Sequence, residues 1–509
     1  MKTAGKVAAT SESCNLHDTE RAFLAEGKVR DKLEAMLGFV RGDAQEQELH
    51  EVERELFGRL LSLGRSLLEL ALVEKGTGKE TSGTVVTTPA GERLPYHSIK
   101  TRKTYLSIFG AVSIRRAYYW RAGAQDGWYP LDAELNLPEK RYSYLLQEWG
   151  ELLGVDGSFA KVTDRLETLL GVKFWTQGVQ GVARAASADV QTFYEQEDAP
   201  ADETEGEILV ATIDGKGVPI RAAELRREKI RLGKGEKPGK KKEAVVSAVY
   251  TIEACPRTAE DVIREIDDDN CVIPPDPAPV PRPRPQNKRV RATLGGKEEA
   301  FAEVQRQLDQ RDPEGKKQRV ALTDGAESLQ GRVLKQLGGK SGIVLILDIM
   351  HVLAYLWPVA FADHKEGSPE ASRWVMNKLR LLLEGKVGYV IGTLRHRLGQ
   401  GGLSGSRQRE FHKTIQYMER NKAFMEYDVY LASGYPIGSG VVEGACKNLV
   451  KDRMECTGMR WNMDGAQAIL ELRAVELNGD WKNFWRYHIA QQRQRLYEPQ
   501  QEKHKRRAA

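Results

Sequence analysis

The stretches ILVATID (208–214), RVALTD (319–324) and GIVLILD (342–348) decide the fold class, because each is a short apolar run that ends in an aspartate. Short apolar runs bounded by turn signals are typical of buried strands. A helix is predicted from about Ala326 to Leu337, between the second and third runs. Strands and helices therefore alternate after about residue 208, and the sequence predicts an α/β domain.

Three carboxylates stand where this pattern would build an active site. Asp214 and Asp324 end their strands, and each precedes a glycine. Glu443 lies near the start of a helix opened by GSG (438–440). Such carboxylates can converge on two divalent ions, which stabilise the attacking and leaving oxygens of a phosphoryl transfer. Oxygen ligands favour Mg²⁺ or Mn²⁺. A single strand-terminal aspartate is more often a turn or helix cap, so the prediction depends on all three together.

Basic residues after Glu443 are candidates for contacts with DNA. Lys447 and Lys451 follow it by four and eight residues, so on a continuous α-helix they share its face and could hold a phosphate. Structural Glu–Lys pairing would give the same pattern. Trp461, in the break GMRW (458–461), could stack on an unpaired base, although a single tryptophan beside helices is more often part of a core. The DNA-binding candidates are Lys447, Lys451, Arg453, Arg460 and Trp461.

A second pair of residues offers an alternative ligand set. Asp348 also ends an apolar strand, and His351 follows three residues later. If Asp324 is not a ligand, Asp348 is its substitute. A buried histidine with a purely structural role is the alternative for His351.

The region before residue 208 is predicted to be mostly helical. Residues 46–75 carry apolar residues at helical spacing, and residues 101–121 indicate a basic, aromatic β-hairpin around Gly110. One helix ending near Leu170 and a second starting near Thr176 form a helix-turn-helix-like pair. The hairpin or the pair could contact DNA. An ordinary half-buried sheet and a plain helical hairpin are the alternatives, and each is the more common occurrence of its pattern.

The composition and the charge distribution limit the partners and the cellular location that can be expected. The 509 residues carry a net charge of only +5, but residues 221–242 and the C-terminal tail are locally basic, which suits a polyanionic partner. Five separated cysteines form no zinc-ligand spacing, which favours reduced thiols in the cytosol. No apolar run approaches the roughly 18–20 residues that span a bilayer, so no membrane association is expected.

Four segments also carry a family resemblance. IDGKG (213–217), LTDGA (322–326), LDIMHV (347–352) and above all YPIGSGVVEGACKNLVKDRMECTGMRW (435–461) resemble the ISKra-type bacterial insertion-sequence transposases, within the Mutator-like DDE group. The resemblance extends over about 95–485. It implies an RNase H-like fold with an all-helical insertion and the three catalytic, metal-binding acids Asp214, Asp324 and Glu443. Asp348 and His351 would form an accessory pair that orients the site or grips the cleaved strand.

The expected architecture is an RNase H-like α/β core with an all-helical insertion, preceded by a mostly helical N-terminal region containing the hairpin and the helix pair. The predicted divisions are an N-terminal helical region (1–90), a DNA-binding region (91–200), the first part of the core (208–365) with a proline-rich insertion (272–287), a helical insertion (366–432), a C-terminal core part carrying Glu443 (433–490) and a basic tail (491–509).

The resemblance implies a DNA transposase that cleaves transposon ends and joins them to target DNA. Its expected cofactor is Mg²⁺ or Mn²⁺, with two ions bound. Terminal inverted repeats and target DNA would be its partners, with a homodimer or larger assembly in the nucleoid-associated cytoplasm. Two alternatives stay open. One is an RNase H-like nuclease or resolvase without strand transfer. The other is a non-catalytic DNA-binding regulator derived from a transposase.

Overall fold

The computed structural model describes residues 5–79, 85–124, 126–225, 241–267, 282–339, 342–456 and 458–498, with side chains from Glu20 onward. Most of the predicted proline-rich insertion, residues 226–240 of the basic patch and residues 499–509 of the basic tail lie outside the described residues. Contacts divide the chain into two compact units, Met1–Phe193 with Trp481–Ala509, and Tyr194–Asp480. Among the described helices, none has the length and apolar character needed to cross a bilayer.

The secondary structure runs as follows in chain order. The first part of the chain contains α1 (Gly5–Arg41), α2 (Leu49–Glu74), β1 (Val85–Thr87), β2 (Arg93–Ser107), β3 (Gly110–Tyr119), α3 (Pro130–Glu134), α4 (Tyr144–Asp156), α5 (Phe159–Leu170), α6 (Thr176–Ser187) and α7 (Val190–Glu195). The central part contains β4 (Ile208–Pro219), α8 (Ala222–Leu225), β5 (Lys241–Ile252), α9 (Ala259–Asp267), β6 (Gln286–Thr293), α10 (Lys297–Arg311), β7 (Gln318–Thr323), α11 (Glu327–Gln336), β8 (Val344–Leu347) and α12 (Ile349–Ala360).

The last part of the chain is helical. It contains α13 (Pro369–Leu383), α14 (Val387–Gly399), α15 (Gly405–Asn421), α16 (Tyr427–Ala432), α17 (Gly440–Ala445), α18 (Asp452–Met454), α19 (Met463–Leu477) and α20 (Trp481–Tyr497). A π-helical segment, Cys446–Lys451, joins α17 to α18.

The first unit contains the predicted hairpin. β2 and β3 pair antiparallel around Gly110, and β1 adds to the other edge of β2. The residues Val112, Ile114 and Ala117 of β3 are buried. α1 lies within the predicted N-terminal helical region (1–90), and apolar side chains of its described part, such as Phe23 and Leu24, are largely exposed.

The predicted helix pair is also present as α5 and α6. Ser158 caps α5 by accepting from the backbone N–H of Lys161, and Gly171 ends it with a positive φ of 64°. α6 begins at Thr176, and its N-cap position is occupied by Trp175, which makes no side-chain hydrogen bond to the helix. A break after Ser187 separates α6 from α7.

The second unit is built on a five-stranded mixed sheet. Its strand order is β6-β5-β4-β7-β8, and the pairs β6–β5 and β5–β4 are antiparallel, whereas β4–β7 and β7–β8 are parallel. Successive β4 residues point to opposite faces. Ile208 and Val210 pack in a core with α12 to α16, while Leu209 and Ala211 pack in another with α10 and α11. Both faces are covered, which explains the continuous apolar runs in the sequence.

α13 to α16 occupy the segment that was expected to be a helical insertion. Their buried apolar residues join the core cluster that includes β4, β7, β8 and α12. Tyr417 of α15 stacks on Tyr355 of α12 with ring centroids 3.9 Å apart, and Thr414 donates to the Tyr355 carbonyl at 3.1 Å. At the end of the chain, α20 groups with the first unit, although residues up to 490 had been assigned to the core.

Candidate active site

Three aspartates stand in one row at the edge of the second unit's sheet. Thr212 pairs with Leu322 across β4 and β7, and Thr323 pairs with Leu347 across β7 and β8. Continuing these registers sets Asp214 beside Asp324, and Asp324 beside Asp348. Neighbouring strands lie about 4.8 Å apart, so this row concentrates negative charge along one line.

Backbone amides fix one oxygen of each aspartate. Asp214 Oδ1 accepts from Gly215 N at 2.6 Å, and Asp324 Oδ1 accepts from Ala326 N at 2.8 Å. Asp348 Oδ1 accepts from the backbone N–H of Met350 at 2.7 Å and thereby caps α12. Of the three, Asp348 caps a helix, whereas Asp324 accepts within a turn just before α11, whose N-cap is Ala326. Asp214 lies inside β4 (Ile208–Pro219), so the prediction that it ends its strand is wrong. In each aspartate the second carboxylate oxygen is left for another role.

Asp348 uses its second oxygen to hold the helix that carries Glu443. Ser439 donates to Asp348 Oδ2 through its backbone N–H, at 3.1 Å, and through its hydroxyl. Ile349 N also donates to Ile437 O at 3.0 Å. Asp348 is fully buried, whereas Glu443 is exposed. Asp348 Oδ1 thus caps α12, while Oδ2 positions Ser439 at the start of α17, four residues before Glu443.

Glu443 lies beside Asp348 and His351. One ligand atom from each of these three side chains falls within 4.8 Å of the others, which is close enough to hold a metal ion. This group was not the principal ligand set expected from the sequence. It consists of the two accessory residues and one of the three predicted catalytic acids.

Asp214 approaches the same helical segment through Cys446. The Cys446 thiol lies 3.4 Å from Asp214 Oδ2, and it occupies the position three residues after Glu443. Burial, followed by the nearby charge of Asp214, raises the pKa of the Cys446 thiol, with a smaller effect from Glu443. The thiol is therefore neutral at ordinary pH and donates to the carboxylate. The sequence analysis had not singled out Cys446.

Two tyrosines of the helical segment α13–α16 donate hydrogen bonds to the ends of β7 and β8. Tyr417 donates its hydroxyl proton to the Asp324 carbonyl at 2.8 Å, and Tyr427 donates to the Leu347 carbonyl at 2.9 Å. Burial raises the pKa of Tyr417, with contributions from Tyr355 and Asp324, so the hydroxyl remains a donor. Gly325 follows with a φ of 88°, in a close approach to Tyr417 that leaves no room for a side chain.

The expected DNA-contacting residues divide into two groups. Lys447, Lys451 and Arg460 are exposed. Arg453 and Trp461 are buried, with the guanidinium 4.8 Å from the indole centroid, and Trp461 Nε1 donates to a backbone carbonyl. Assignment of Arg453 and Trp461 to DNA is therefore corrected, because they pack together inside the second unit.

The two lysines also differ from expectation in geometry. The sequence argument placed Glu443, Lys447 and Lys451 on one face of a continuous α-helix. α17 instead ends at Ala445, and the lysines occupy the π-helical segment, in which hydrogen bonds join residues five apart. The spacing of four and eight residues consequently does not place them on one α-helical stripe with Glu443.

Comparisons with known proteins give little further information. No protein-family model and no curated protein matches the sequence. Among solved structures, the Drosophila P element transposase strand transfer complex matches with a TM-score of 0.24 and 9% identity, covering 68% of this chain and 81% of that chain. A score this low does not establish a common fold, so the functional argument rests on the site itself.

Proposed function

We propose that this protein is a DDE-type DNA transposase that cleaves transposon ends and joins them to target DNA. The observation that carries the proposal is the row formed by Asp214, Asp324 and Asp348, with Glu443 on the helix held beside it. The mixed sheet supports an RNase H-like core, since three antiparallel strands are followed by two parallel strands on the other side of β4. The family remains the ISKra-type group suggested by the sequence motifs.

The donor set fits hard divalent cations. Asp214 and Asp324 are half-buried, and Glu443 is exposed. Oxygen ligands of this kind suit Mg²⁺ or Mn²⁺. When two such ions are bound, they supply Lewis-acid stabilisation to the attacking and leaving oxygens. In this proposal Asp214, Asp324 and Glu443 hold the ions.

Asp348 has a positioning role in the proposed mechanism. Its two oxygens already accept hydrogen bonds from α12 and from Ser439, so it has the least remaining capacity to bind an ion. It fixes the direction from which Glu443 enters the site. His351 faces the same space and orients the Glu443 carboxylate or the cleaved strand.

The reaction needs no protein nucleophile. Water attacks a phosphodiester at the transposon end and frees a 3′-hydroxyl, which then attacks target DNA. The chain's part is to hold the reacting groups in line and to offset the charge that develops on the phosphate. Lys447, Lys451 and Arg460 are exposed cations that bind the DNA backbone near the site.

The test uses the full-length protein with DNA duplexes that carry the sequences flanking its gene. Cleavage and strand transfer are measured with Mg²⁺ or Mn²⁺, and strand transfer is measured separately with pre-cleaved ends. Asp214→Asn, Asp324→Asn and Glu443→Gln should each lower cleavage by on the order of 10²–10³-fold while DNA affinity and melting temperature are retained. Cleavage without joining favours a nuclease or resolvase. Metal-dependent activity that survives all three substitutions would reject the proposal.

The close group of Asp348, His351 and Glu443 defines a second candidate ligand set, and one comparison separates the two. If Asp324 binds an ion, Asp324→Asn raises the Mg²⁺ concentration needed for half-maximal cleavage, whereas His351→Gln leaves that concentration nearly unchanged. If Asp348, His351 and Glu443 bind the ion instead, His351→Gln raises this Mg²⁺ concentration and Asp324→Asn leaves it nearly unchanged. The metal titration is informative even when both variants are slow.

A further inference from the structure

A cavity of about 540 Å³ lies in the first unit, and the proposed function does not use it. Its walls come from β2 and β3, from the turn that leads into α3, and from the end of α20. Cavities of roughly 300–1,000 Å³ are typical of sites for small organic ligands. The walls combine aromatic rings with a small set of charged groups, which narrows the chemistry of the ligand.

Three half-buried aromatic side chains line the cavity. Trp128 and Tyr497 meet edge to face with ring centroids 6.0 Å apart, and Tyr129 lies beside them. Tyr497 is held in place by its hydroxyl, which donates to the Leu137 carbonyl at 2.5 Å. Aromatic faces of this kind stack on planar rings, and such stacking contributes about 1–3 kcal/mol per nucleic-acid base.

The charged groups include a carboxylate with an unused acceptor. Asp132 is 8% exposed, and its Oδ2 accepts from Arg116 Nη1. Among the described residues, none donates a hydrogen bond to Asp132 Oδ1. Arg116 is fixed in turn by the ring of Tyr129, whose centroid lies 3.9 Å from the guanidinium carbon. Burial raises the pKa of Asp132, although Arg116 and Arg102 act to lower it.

The balance of charge argues against an anionic ligand group. The cavity is lined by two arginines and three acidic residues. One arginine is paired with Asp132, and Arg102 donates to the carbonyls of Pro138, Glu139 and Lys140. Arg116 Nη1 and Arg102 Nη2 are thus engaged, and although Arg116 Nε has no partner among the described residues, the acidic residues outnumber the arginines, which disfavours an anionic group. A neutral planar ring that presents hydrogen-bond donors fits the rings and Asp132 together.

Guanine meets these requirements better than the other bases, because its Watson–Crick edge presents two adjacent donors, N1–H and the N2 amino group. We propose that this cavity binds an unpaired guanine base, which stacks on the aromatic walls while Asp132 accepts from its Watson–Crick edge. The carboxylate torsion of aspartate is broad, so Oδ1 can turn toward the base while Oδ2 keeps Arg116. A base reaches such a pocket as a free nucleotide or by leaving the DNA stack.

The first experiment titrates the full-length Asp214→Asn protein with nucleotides in metal-free buffer, so that neither DNA cleavage nor a functioning active site is required. dGMP is compared with dAMP, dIMP and N1-methyl-dGMP by calorimetry, and the shared phosphate leaves the base as the variable. dGMP should bind about tenfold or more tightly than dAMP and N1-methyl-dGMP, with dIMP between them. Equal affinities for all four, or no binding of dGMP, overturn the proposal whether or not transposition is found.

Two protein variants test the assignment to this cavity. Asp132→Asn should abolish the preference for dGMP over dAMP, whereas Tyr497→Phe, which retains the ring, should keep it. Asp132→Asn also disturbs the pair with Arg116, so the melting temperature of this variant is measured. The nucleotide series on the Asp214→Asn protein tests the proposal even if the Asp132→Asn variant does not fold. A preference that persists in a folded Asp132→Asn protein overturns the assignment.

A second arm identifies the source of the base. DNA duplexes with one unpaired dG or one unpaired dA are compared by fluorescence anisotropy. Tighter binding of the dG duplex, lost in Asp132→Asn, assigns the cavity to an extrahelical base of DNA. A dGMP preference without any difference between the duplexes assigns it to free guanine nucleotides.

Discussion

Replacing Asp348 with asparagine tests whether this buried carboxylate positions the Glu443 helix. Asp348 accepts from Met350 N at 2.7 Å and from Ser439 N at 3.1 Å, and also from the Ser439 hydroxyl. Asparagine has one carbonyl oxygen, which can keep the Met350 contact and the cap of α12. Its NH₂ group then faces the Ser439 N–H, so two donors meet where a donor and an acceptor had paired.

The cost follows from burial. Asp348 is 0% exposed, and a buried N–H left without an acceptor costs about 1–3 kcal/mol. The Ser439 hydroxyl can accept from the new NH₂ group, so exchanging its hydrogen bond to a charged oxygen for a neutral one adds roughly 1 kcal/mol. We therefore expect a loss of about 2–4 kcal/mol in the unfolding free energy. For domains of roughly 150–250 residues, each kcal/mol lowers the melting temperature by about 2–4 °C.

The assay combines calorimetry with hydrogen exchange over residues 437–445. Asp348→Asn should lower the melting temperature and reduce amide protection in this segment, together with DNA cleavage but not DNA affinity. Ser439→Ala is the matched control, since it removes the hydroxyl and keeps the backbone contact, and we expect about a third of the effect. Wild-type stability and protection in Asp348→Asn would refute the positioning role, and loss of cleavage in such a protein would point to a metal ligand.

Three further predictions follow from the surroundings of the site. Trp461→Ala should destabilise the protein by about 3–5 kcal/mol in chemical denaturation, because the indole is buried, whereas a DNA-stacking role would lower DNA affinity at unchanged stability. Gly325→Ala should cost more than about 1 kcal/mol, since φ is 88° and the new Cβ would lie 2.9 Å from Leu347 Cδ1, and equal melting temperatures would contradict this. Lys447→Gln and Lys451→Gln should each reduce the salt dependence of DNA binding by about one unit of slope, as measured by anisotropy titrations at several salt concentrations.

The sequence predicted β4, β7 and β8 because their information is local, whereas it did not indicate β6. β8, most of β7 and the first part of β4 are continuous apolar runs, and such a run indicates burial on both faces wherever it occurs. The continuation of β4 past Asp214 to Pro219 was not predicted, because DGKG is not an apolar run. The order of the strands is a different matter. Asp214 and Asp324 lie 110 positions apart in the chain, and only the pairing of Thr212 with Leu322 sets them side by side. Periodicity identifies a strand but not its neighbour.

The candidate site was harder to predict where one residue acts through another. Asp348 looked like a spare ligand in the sequence, whereas in the structure its contacts to Ser439 give it a supporting role. The π-helical segment could not be read from residue types, so the face shared by Glu443, Lys447 and Lys451 was misjudged. Trp461 was predicted to contact DNA because an indole can stack on a base, but its side chain is buried in the structure.

The row of acids carries an energetic cost that a bound cation would remove. Ionised carboxylates held side by side on adjacent strands repel each other, which destabilises the folded state when no cation is bound. Replacing Asp324 by asparagine should relieve part of this repulsion, so the metal-free variant should melt at a higher temperature than the parent. The parent should gain stability with increasing Mg²⁺, because an ion that binds only the folded state adds RT ln(1 + [Mg²⁺]/Kd), and the variant should gain much less.

Calorimetry with and without Mg²⁺ measures both effects, and Glu327→Gln, an exposed acid in the first turn of α11, is the control for general charge removal. If Asp324→Asn lowered the metal-free melting temperature and left the Mg²⁺ response intact, the acids would be structural caps, and the ions would have to bind elsewhere.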